Sequence, residues 1–304
     1  MHRNYQILKD ELENEFGRDR LRNDEPLSRH CNWKVGGPAD FFLIVRSATE
    51  LIKAVRRAHQ FSCPVTILGF GANVLVSDKG MRGLVVLNRA EGIRFCSDNL
   101  VDVDSGTNLA VLARRAMQQG LADLEFLIGI PGTVGAAVFG NAGTGQQWIS
   151  EILKSVQLLG KDGQIFSMNN SELEFTYRSS RLQKTGEVVL SAQLQGKSDE
   201  PEKIKLRMNE FLRLRKNQPS GSSTGSVFKN PSGHFAGKLI EKCGLKGTQI
   251  GGAKISEKHA NFIINENRAT ASEIKKLIDM AKSQVEKKFG IQLEEEICYL
   301  GDGF

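Results

Sequence analysis

Apolar positions along this chain switch repeatedly between a helical period and short strand runs. Residues 1–22 interleave charge with an apolar stripe and predict a helix. A loop around Pro26 follows, then a Gly36-Gly37-Pro38 turn leading into an apolar strand, Phe41 to Val45. Ser47-Ala48-Thr49-Glu50 reads as a capping box opening a helix to about Gln60, with Leu51, Ala54, Val55 and Ala58 on one face. Strand runs at 64–68, 74–78, 84–88 and 101–106 lead to a helix after Thr107. That helix ends at Gly120 and carries Leu109, Leu112, Ala113 and Ala116 on one face. Lys161-Asp162-Gly163 joins two apolar strands as a hairpin, and 188–195 is a further strand. Residues 203–217 read as a basic amphipathic helix, followed by the small-residue loop SGSSTGSVFKNP. Thr270 to Glu273 is a second capping box, opening a long helix with Ile274, Leu277, Ile278, Ala281, Val285 and Phe289 on one face. IQLEEEICYLG is the last strand, and no internal repeat occurs. The alternation predicts α/β or α+β packing on a mixed sheet. The polar stretch KSDEPEK around Pro201 is the best boundary, giving a lead-in at 1–32, one domain at 33–198 and another at 203–304.

One segment breaks both periods. Residues 125–145, EFLIGIPGTVGAAVFGNAGTG, hold six glycines between Gly129 and Gly145 and no charge after Glu125. Glycine lets the main chain approach closely and take positive φ. Its apolar filling (Phe126, Leu127, Ile128, Ile130, Val134, Val138, Phe139) separates the run from a solvated loop rich in Ser, Asp and Lys. The pattern implies a buried, turning segment pressed against a large flat ligand.

Composition narrows the class. A chain of 304 residues, 40% hydrophobic and 25% charged, is long enough for two or three domains and has no disordered, collagenous or membrane profile. No window approaches 18 uncharged apolar residues, and the N-terminus lacks the apolar core of a signal peptide, so the cytoplasm is the expected compartment. Cys31, Cys63, Cys96, Cys243 and Cys298 are odd in number with no CxxC pair; they support neither a zinc site nor a disulfide framework, and no metal is expected. The net charge of +6 favours anions, but no aromatic-interleaved basic stripe is present. A phosphorylated small substrate is therefore expected, with neither nucleic acid nor membrane as partner, in a monomer or weak homo-oligomer.

Several groups suit chemistry. Gly69-Phe70-Gly71-Ala72-Asn73-Val74-Leu75 follows a strand but has Val74 where a dinucleotide fingerprint needs glycine, and it runs into a strand. It is a tight turn or an anion-binding nest. Ser105-Gly106-Thr107 lies at a strand end and a helix start, suited equally to a phosphate or to a simple N-cap. Arg178 and Arg181 in FTYRSSRL present guanidinium forks for a carboxylate or phosphate, although most arginines are solvated surface groups. Ser226, in Gly225-Ser226-Val227-Phe228-Lys229-Asn230, is a rigidly held hydroxyl candidate outside any GxSxG elbow. Strand alternation puts Glu294 and Glu296 on one face and Glu295 on the other. His259 opens an apolar strand, which reads first as a structural histidine.

Seven of these pieces occur in one order: NWKVGGPAD, ILGFGANVLVSD, IPGTVGAAVFGNAG, FTYRSSRL, GSVFKNP, HANFIIN and LEEEI…LG. Across about 270 residues this order resembles the UDP-N-acetylenolpyruvoylglucosamine reductases, flavoenzymes of peptidoglycan synthesis. The resemblance implies an α+β chain: an FAD-binding domain of the vanillyl-alcohol-oxidase (PCMH) type, then a C-terminal substrate domain. Few residues separate Arg181 from Val188, so the chain resembles the shorter type that lacks an inserted tyrosine loop. The resemblance further implies non-covalent FAD against Gly69, Gly71, Ala72, Asn73, Val74 and Leu75; against Ser105, Gly106 and Thr107; and against Gly129, Ile130, Pro131, Gly132, Gly135, Ala136, Asn141 and Gly143. NADPH would reduce it, and hydride would pass to the vinyl carbon of a UDP-linked enolpyruvyl sugar. Arg178 and Glu296 match the positions that stabilise the enolate-like charge, and Ser226 matches the proton donor to C2. Glu296 follows from the register LExE-[IV]-x-x-[IL]-G anchored on Gly301. Arg181, Lys229, Asn230 and His259 would contact substrate. Two other readings remain at this level: a different flavin oxidase or dehydrogenase on the same domain, and a non-catalytic nucleotide-binding module. GFGANVLVSD offers no His or Cys tether of the kind covalent-flavin oxidases use.

Overall fold

The computed structural model describes residues 2–216 and 218–304, so Met1 and Asn217, the outer ends of two expected helices, lie outside the described residues. The chain forms two compact units that interleave in sequence, where composition had suggested one cut near 200. Unit 1 comprises Met1–Arg22, Phe41–Gly69 and Gly83–Lys216; unit 2 comprises Asn23–Asp40, Phe70–Arg82 and Asn217–Phe304.

Unit 1 contains a five-stranded antiparallel sheet in the order Ile165–Asn169, Leu153–Leu159, Val188–Gln195, Leu100–Asp104, Ile93–Phe95. The first pair is the expected hairpin, with Ile165 opposite Leu159. Val101, Val103, Val156, Leu158, Ala192 and Leu194 of this sheet share a core with Leu109, Leu112 and Ala116 of the helix Leu109–Gln118 and with Phe126, Leu127, Val134 and Val138 of the glycine-rich segment. A second core joins Leu51, Ala54, Val55 and Ala58 of the helix Ala48–Gln60 to Leu43, Val45, Leu84 and Val86. There Val65–Leu68 runs parallel to Met81–Asn88, Val65 opposite Leu84.

Three boundaries differ from expectation for local reasons. The first helix, His2–Phe16, stops early because Gly17 takes φ +91, and residues 21–26 then form a strand. The cap of Leu109–Gln118 is Asn108, whose Oδ1 accepts from Ala110 N (2.8 Å) and Val111 N (3.1 Å); the Thr107 hydroxyl turns to Gly92 instead. Ser47 accepts from Glu50 N, but the Glu50 carboxylate binds Arg20 and Arg46 N, so that capping box is only half formed. Within the glycine-rich run, the expected buried, turning segment takes the form of a 3-10 turn at Glu125–Gly129 and a short helix at Val134–Phe139.

Unit 2 folds around Trp33, which has no exposed surface and donates its Nε1–H to Ile263 O (2.7 Å); Asn265 Nδ2 donates to Trp33 O (2.8 Å). The expected helix Ala271–Phe289 has a complete capping box between Thr270 and Glu273, and Asp78 accepts from Ala271 N and Ser272 N. Its buried face, Ile274, Leu277, Ile278, Ala281 and Val285, packs in one core with Trp33, Phe228 and the unforeseen helix Ala236–Lys242. The C-terminal run changes partner part-way. Phe228 bridges Glu295 antiparallel, whereas Cys298–Leu300 lies parallel to Val74–Val76, so only Cys298–Leu300 is regular strand. Trp33→Ala empties this core and is expected to cost about 3–5 kcal/mol, read as a lowered denaturation midpoint at unchanged slope.

Candidate functional site

In unit 1 the turn at Ser105–Thr107 meets the glycine-rich run, and Gly69 stands beside Thr133. Gly135 N donates to Ser105 O (2.8 Å), Val134 N to Thr107 O (3.0 Å) and Leu109 N to Gly132 O (3.1 Å). Asn88 locks the turn between them, donating Nδ2–H to Ser105 Oγ (2.8 Å) and accepting from Ala90 N. There is no room for side chains: a Cβ on Gly106 would lie 2.5 Å from Ala90 N, and one on Gly69 would lie 2.8 Å from Thr133 Oγ1. Arg89 Nη1 donates to Gly69 O (3.1 Å). Much of the glycine content thus serves main-chain packing inside the protein. Among the described residues, the N–H groups of Gly132 and Thr133 donate to no protein acceptor, at the start of the Val134–Phe139 helix. They suit an oxyanion of a bound cofactor.

The same segment braces the arginine loop. Asn141, buried and at φ +44, donates Nδ2–H to Thr176 O (2.9 Å) and accepts from Ser150 N. Ser180 Oγ and Gln183 Nε2 both donate to Phe139 O, and Gln183 also donates to Arg178 O. Arg178 sits at φ +57, a left-handed conformation that non-glycine residues adopt at a cost and that clusters at functional sites. Its guanidinium lies over the rings of Trp148 (5.1 Å) and Tyr177 (5.8 Å). Sequence reading missed Trp148, because its partner is 30 residues away. It also missed Arg215, whose side chain lies 3.4–3.9 Å from where a Cβ on Gly129 would stand. Although its helix surface is exposed, packing around the Arg215 guanidinium and then the charge of Arg178 push its pKa down. That helix, Pro201–Lys216, is tied to the 3-10 turn by Arg207 Nε on the buried Glu125 (2.8 Å). Arg181 pairs with Glu187 at 3.6 Å. Ile130, Pro131, Ala136 and Gly143 lie along the same segment, and the Trp148 ring covers Gly143.

In unit 2, Gly71 takes φ +60 and has no room for a Cβ, which would lie 2.2 Å from His30 O. The N–H groups of Gly71, Ala72 and Asn73 have no protein acceptor among the described residues and form a nest, while Val74 and Leu75 enter a strand. Asn73 Nδ2 donates to Glu296 O (2.9 Å), and Cys298 N donates to Asn73 O. Glu296 N donates to Val227 O (2.8 Å), which places Ser226 and Glu296 on adjacent, paired segments. The Ser226 hydroxyl has no partner among the described residues, and Gly225 before it takes φ +86. Two residues earlier, Thr224 Oγ1 is buried without a hydrogen bond. Asn261 fixes the loop, accepting from Phe228 N and donating to Phe228 O. Lys229 is ion-paired to Glu294 at 2.5 Å, and Asn230 Oδ1 accepts from Ala236 N, so both side chains are engaged within the protein. Glu295 turns away to Lys282 (2.9 Å), as strand alternation requires.

In unit 1 the donor-rich loops with little side-chain bulk fit a group such as FAD. A cavity of about 570 Å3 on the polar face of the five-stranded sheet, lined by Asp102, Asp104 and Gln193 among others, contains none of the expected site residues.

The architecture matches flavoproteins. A profile described as FAD binding domain covers residues 39–169. The fold is shared with a 4-ethylphenol oxidase from Gulosibacter chungangensis, at a TM-score of 0.51 and 14% identity over 97% of this chain and 65% of that one. This defines an FAD-binding α+β protein of the PCMH type. A second profile, UDP-N-acetylenolpyruvoylglucosamine reductase, C-terminal domain, covers residues 217–300. Curated reductases of that name from Lachnoclostridium phytofermentans and Chlamydia abortus are 40% and 42% identical, over 97% and 91% of this chain and 98% and 93% of theirs. The crystal structure of the Thermus caldophilus reductase superimposes at a TM-score of 0.80 with 36% identity, covering 92% of this chain and 99% of that one. The chain belongs to the UDP-N-acetylenolpyruvoylglucosamine reductase family.

His259 packs on Phe262 (5.0 Å between centroids), and its Nδ1 accepts from Asn261 N (3.2 Å), so the ring is held neutral. Burial pushes its pKa below the ordinary value of 6.5. The unfolded chain therefore binds more protons below about pH 6.5, and this stability, full above that value, is lost as pH falls through it. His259→Gln should flatten the acid limb of urea stability between pH 7.5 and 5; an unchanged slope would exclude this ring as its source.

Proposed function

We propose that the chain uses FAD and NADPH to reduce the enolpyruvyl ether of UDP-N-acetylglucosamine-enolpyruvate to UDP-N-acetylmuramate, in the cytoplasm. The observation that carries this reading is the Ser226 hydroxyl, unengaged after a left-handed Gly225 and on a segment paired with that of Glu296. Bound FAD supplies the hydride chemistry, with the nest at Gly71–Asn73 and the donors at Gly132 and Thr133 available to its phosphates. Arg178 presents a planar fork to the substrate carboxylate and stabilises the charge that develops there. Glu296 holds that carboxylate by hydrogen bonding, and Ser226 gives its hydroxyl proton to C2. A serine hydroxyl is a weak acid, so it acts only where its position is fixed in advance. The fixed peptide bonds of 226–229 against 294–296 and Asn261 supply that. Lys229 is held beside this ladder by its ion pair with Glu294. No helix among the described residues is long and apolar enough to cross a membrane.

The purified protein should be yellow, bleach with NADPH and regain colour with the enolpyruvyl sugar nucleotide faster than with oxygen. A colourless protein that takes up no FAD would overturn the reading. Ser226→Ala should leave bleaching intact and slow recovery of colour by about 100-fold or more; equal damage to both half-reactions would remove the serine from its role.

A further inference from the structure

We propose that Trp148 is a positioning residue that holds the Arg178 guanidinium in its working orientation; this rests on Arg178 being the carboxylate-binding group. The Arg178 guanidinium carbon stands 5.1 Å from the Trp148 ring centroid and 5.8 Å from that of Tyr177. The two rings meet edge to face, 5.5 Å apart at 85°, and form a two-sided aromatic seat. A cation within about 6 Å of such a face is attracted by the ring quadrupole, most strongly for indole.

Arg178 needs a seat. Its backbone is left-handed at φ +57, and the positive charge of Arg215 acts on the same region from the Pro201–Lys216 helix. Arg215 has no ion-pair or hydrogen-bond partner among the described residues, and the charge acting on it is that of Arg178. A negative π face under Arg178 offsets that repulsion. Trp148 is itself fixed. The tight loop at 142–149 is closed by Ile149 N on Ala142 O (2.9 Å) and Thr144 N on Gln147 O (3.0 Å). The indole is seated on Gly143, where a Cβ would fall 2.5 Å from its Cε3. The glycine at 143 thus makes space for the ring that orients the arginine.

The test uses the FAD-loaded protein and two readouts: substrate affinity by calorimetry on the oxidised form, and single-turnover reoxidation by the enolpyruvyl sugar nucleotide. Trp148→Leu and Trp148→Met, which lack a π face, should each weaken binding and slow reoxidation about tenfold, in line with a well-packed cation–π contact. Trp148→Phe should recover most of both. In an Arg178→Gln background, which has no cation to seat, Trp148→Leu should add less than twofold, because the two side chains act as one. If Trp148→Leu and Trp148→Met both match the parent, or Trp148→Phe is as slow as Leu, or the Leu effect is undiminished beside Arg178→Gln, the inference is overturned. Near-parental turnover by Arg178→Gln alone would instead overturn the role of Arg178 on which it rests. Should the leucine variant lose FAD, the methionine variant carries the same comparison.

Discussion

Main chain packed directly on main chain is the constraint on which unit 1 depends. The turns at 69, 88–90, 105–107 and 130–135 approach so closely that Gly69 and Gly106 have no room for a methyl group and one on Gly135 would press on Ser105 at 3.0 Å. This contact carries two consequences outward. It leaves backbone donors at Gly132 and Thr133 unspent, at a place without side chains to fill the space. It also sets the start of the short helix Val134–Phe139, whose last carbonyl receives Ser180 and Gln183 and so fixes the loop that bears Arg178. A single methyl group at Gly106 would disturb both ends of this chain of contacts.

Unit 2 solves a different problem by different means. Here a hydroxyl and a carboxyl must be presented from segments about 70 residues apart in sequence. The ladder between 227–229 and 294–296 does this, with Asn261 and Asn73 clasping either side. In that ladder Glu295 turns to Lys282 on one face, while Glu294, on the same face as Glu296, pairs with Lys229. Side chains that bind inside the protein, such as Asn230 and His259, keep the surrounding backbone in place.

Much of this was legible in the residues. Helical stripes located Ala48–Gln60, Leu109–Gln118 and Ala271–Phe289, because their apolar faces repeat at the helical period and do pack inward. The glycine-rich run was recognised as buried and turning, but not its two short helical turns, since short apolar stretches broken by glycine carry no period. Ser105–Thr107 was read as suited to a phosphate or a cap; the cap is Asn108, whose amide oxygen accepts from two N–H groups at once. Trp148, Arg215 and Asn88 escaped notice for a common reason. Each acts on a residue far off in the chain, and no spacing rule links an indole at 148 to a guanidinium at 178. The composition break near 200 marks a real change of texture, yet the following helix stays with unit 1, held by Arg207 on the buried Glu125.

The interleaving of the two units bears on how such a chain is inherited and dissected. Each unit draws on three separate stretches, so no single scissor point yields either one whole. A fragment starting at 217 would lack Trp33, the centre of its own interior, and the strand Val74–Val76 that Cys298–Leu300 needs beside it. Crossovers between homologous genes at one junction would likewise mate a core with a foreign centrepiece, so exchange is tolerated only where the stretches at 23–40 and 70–82 travel together with the C-terminal third.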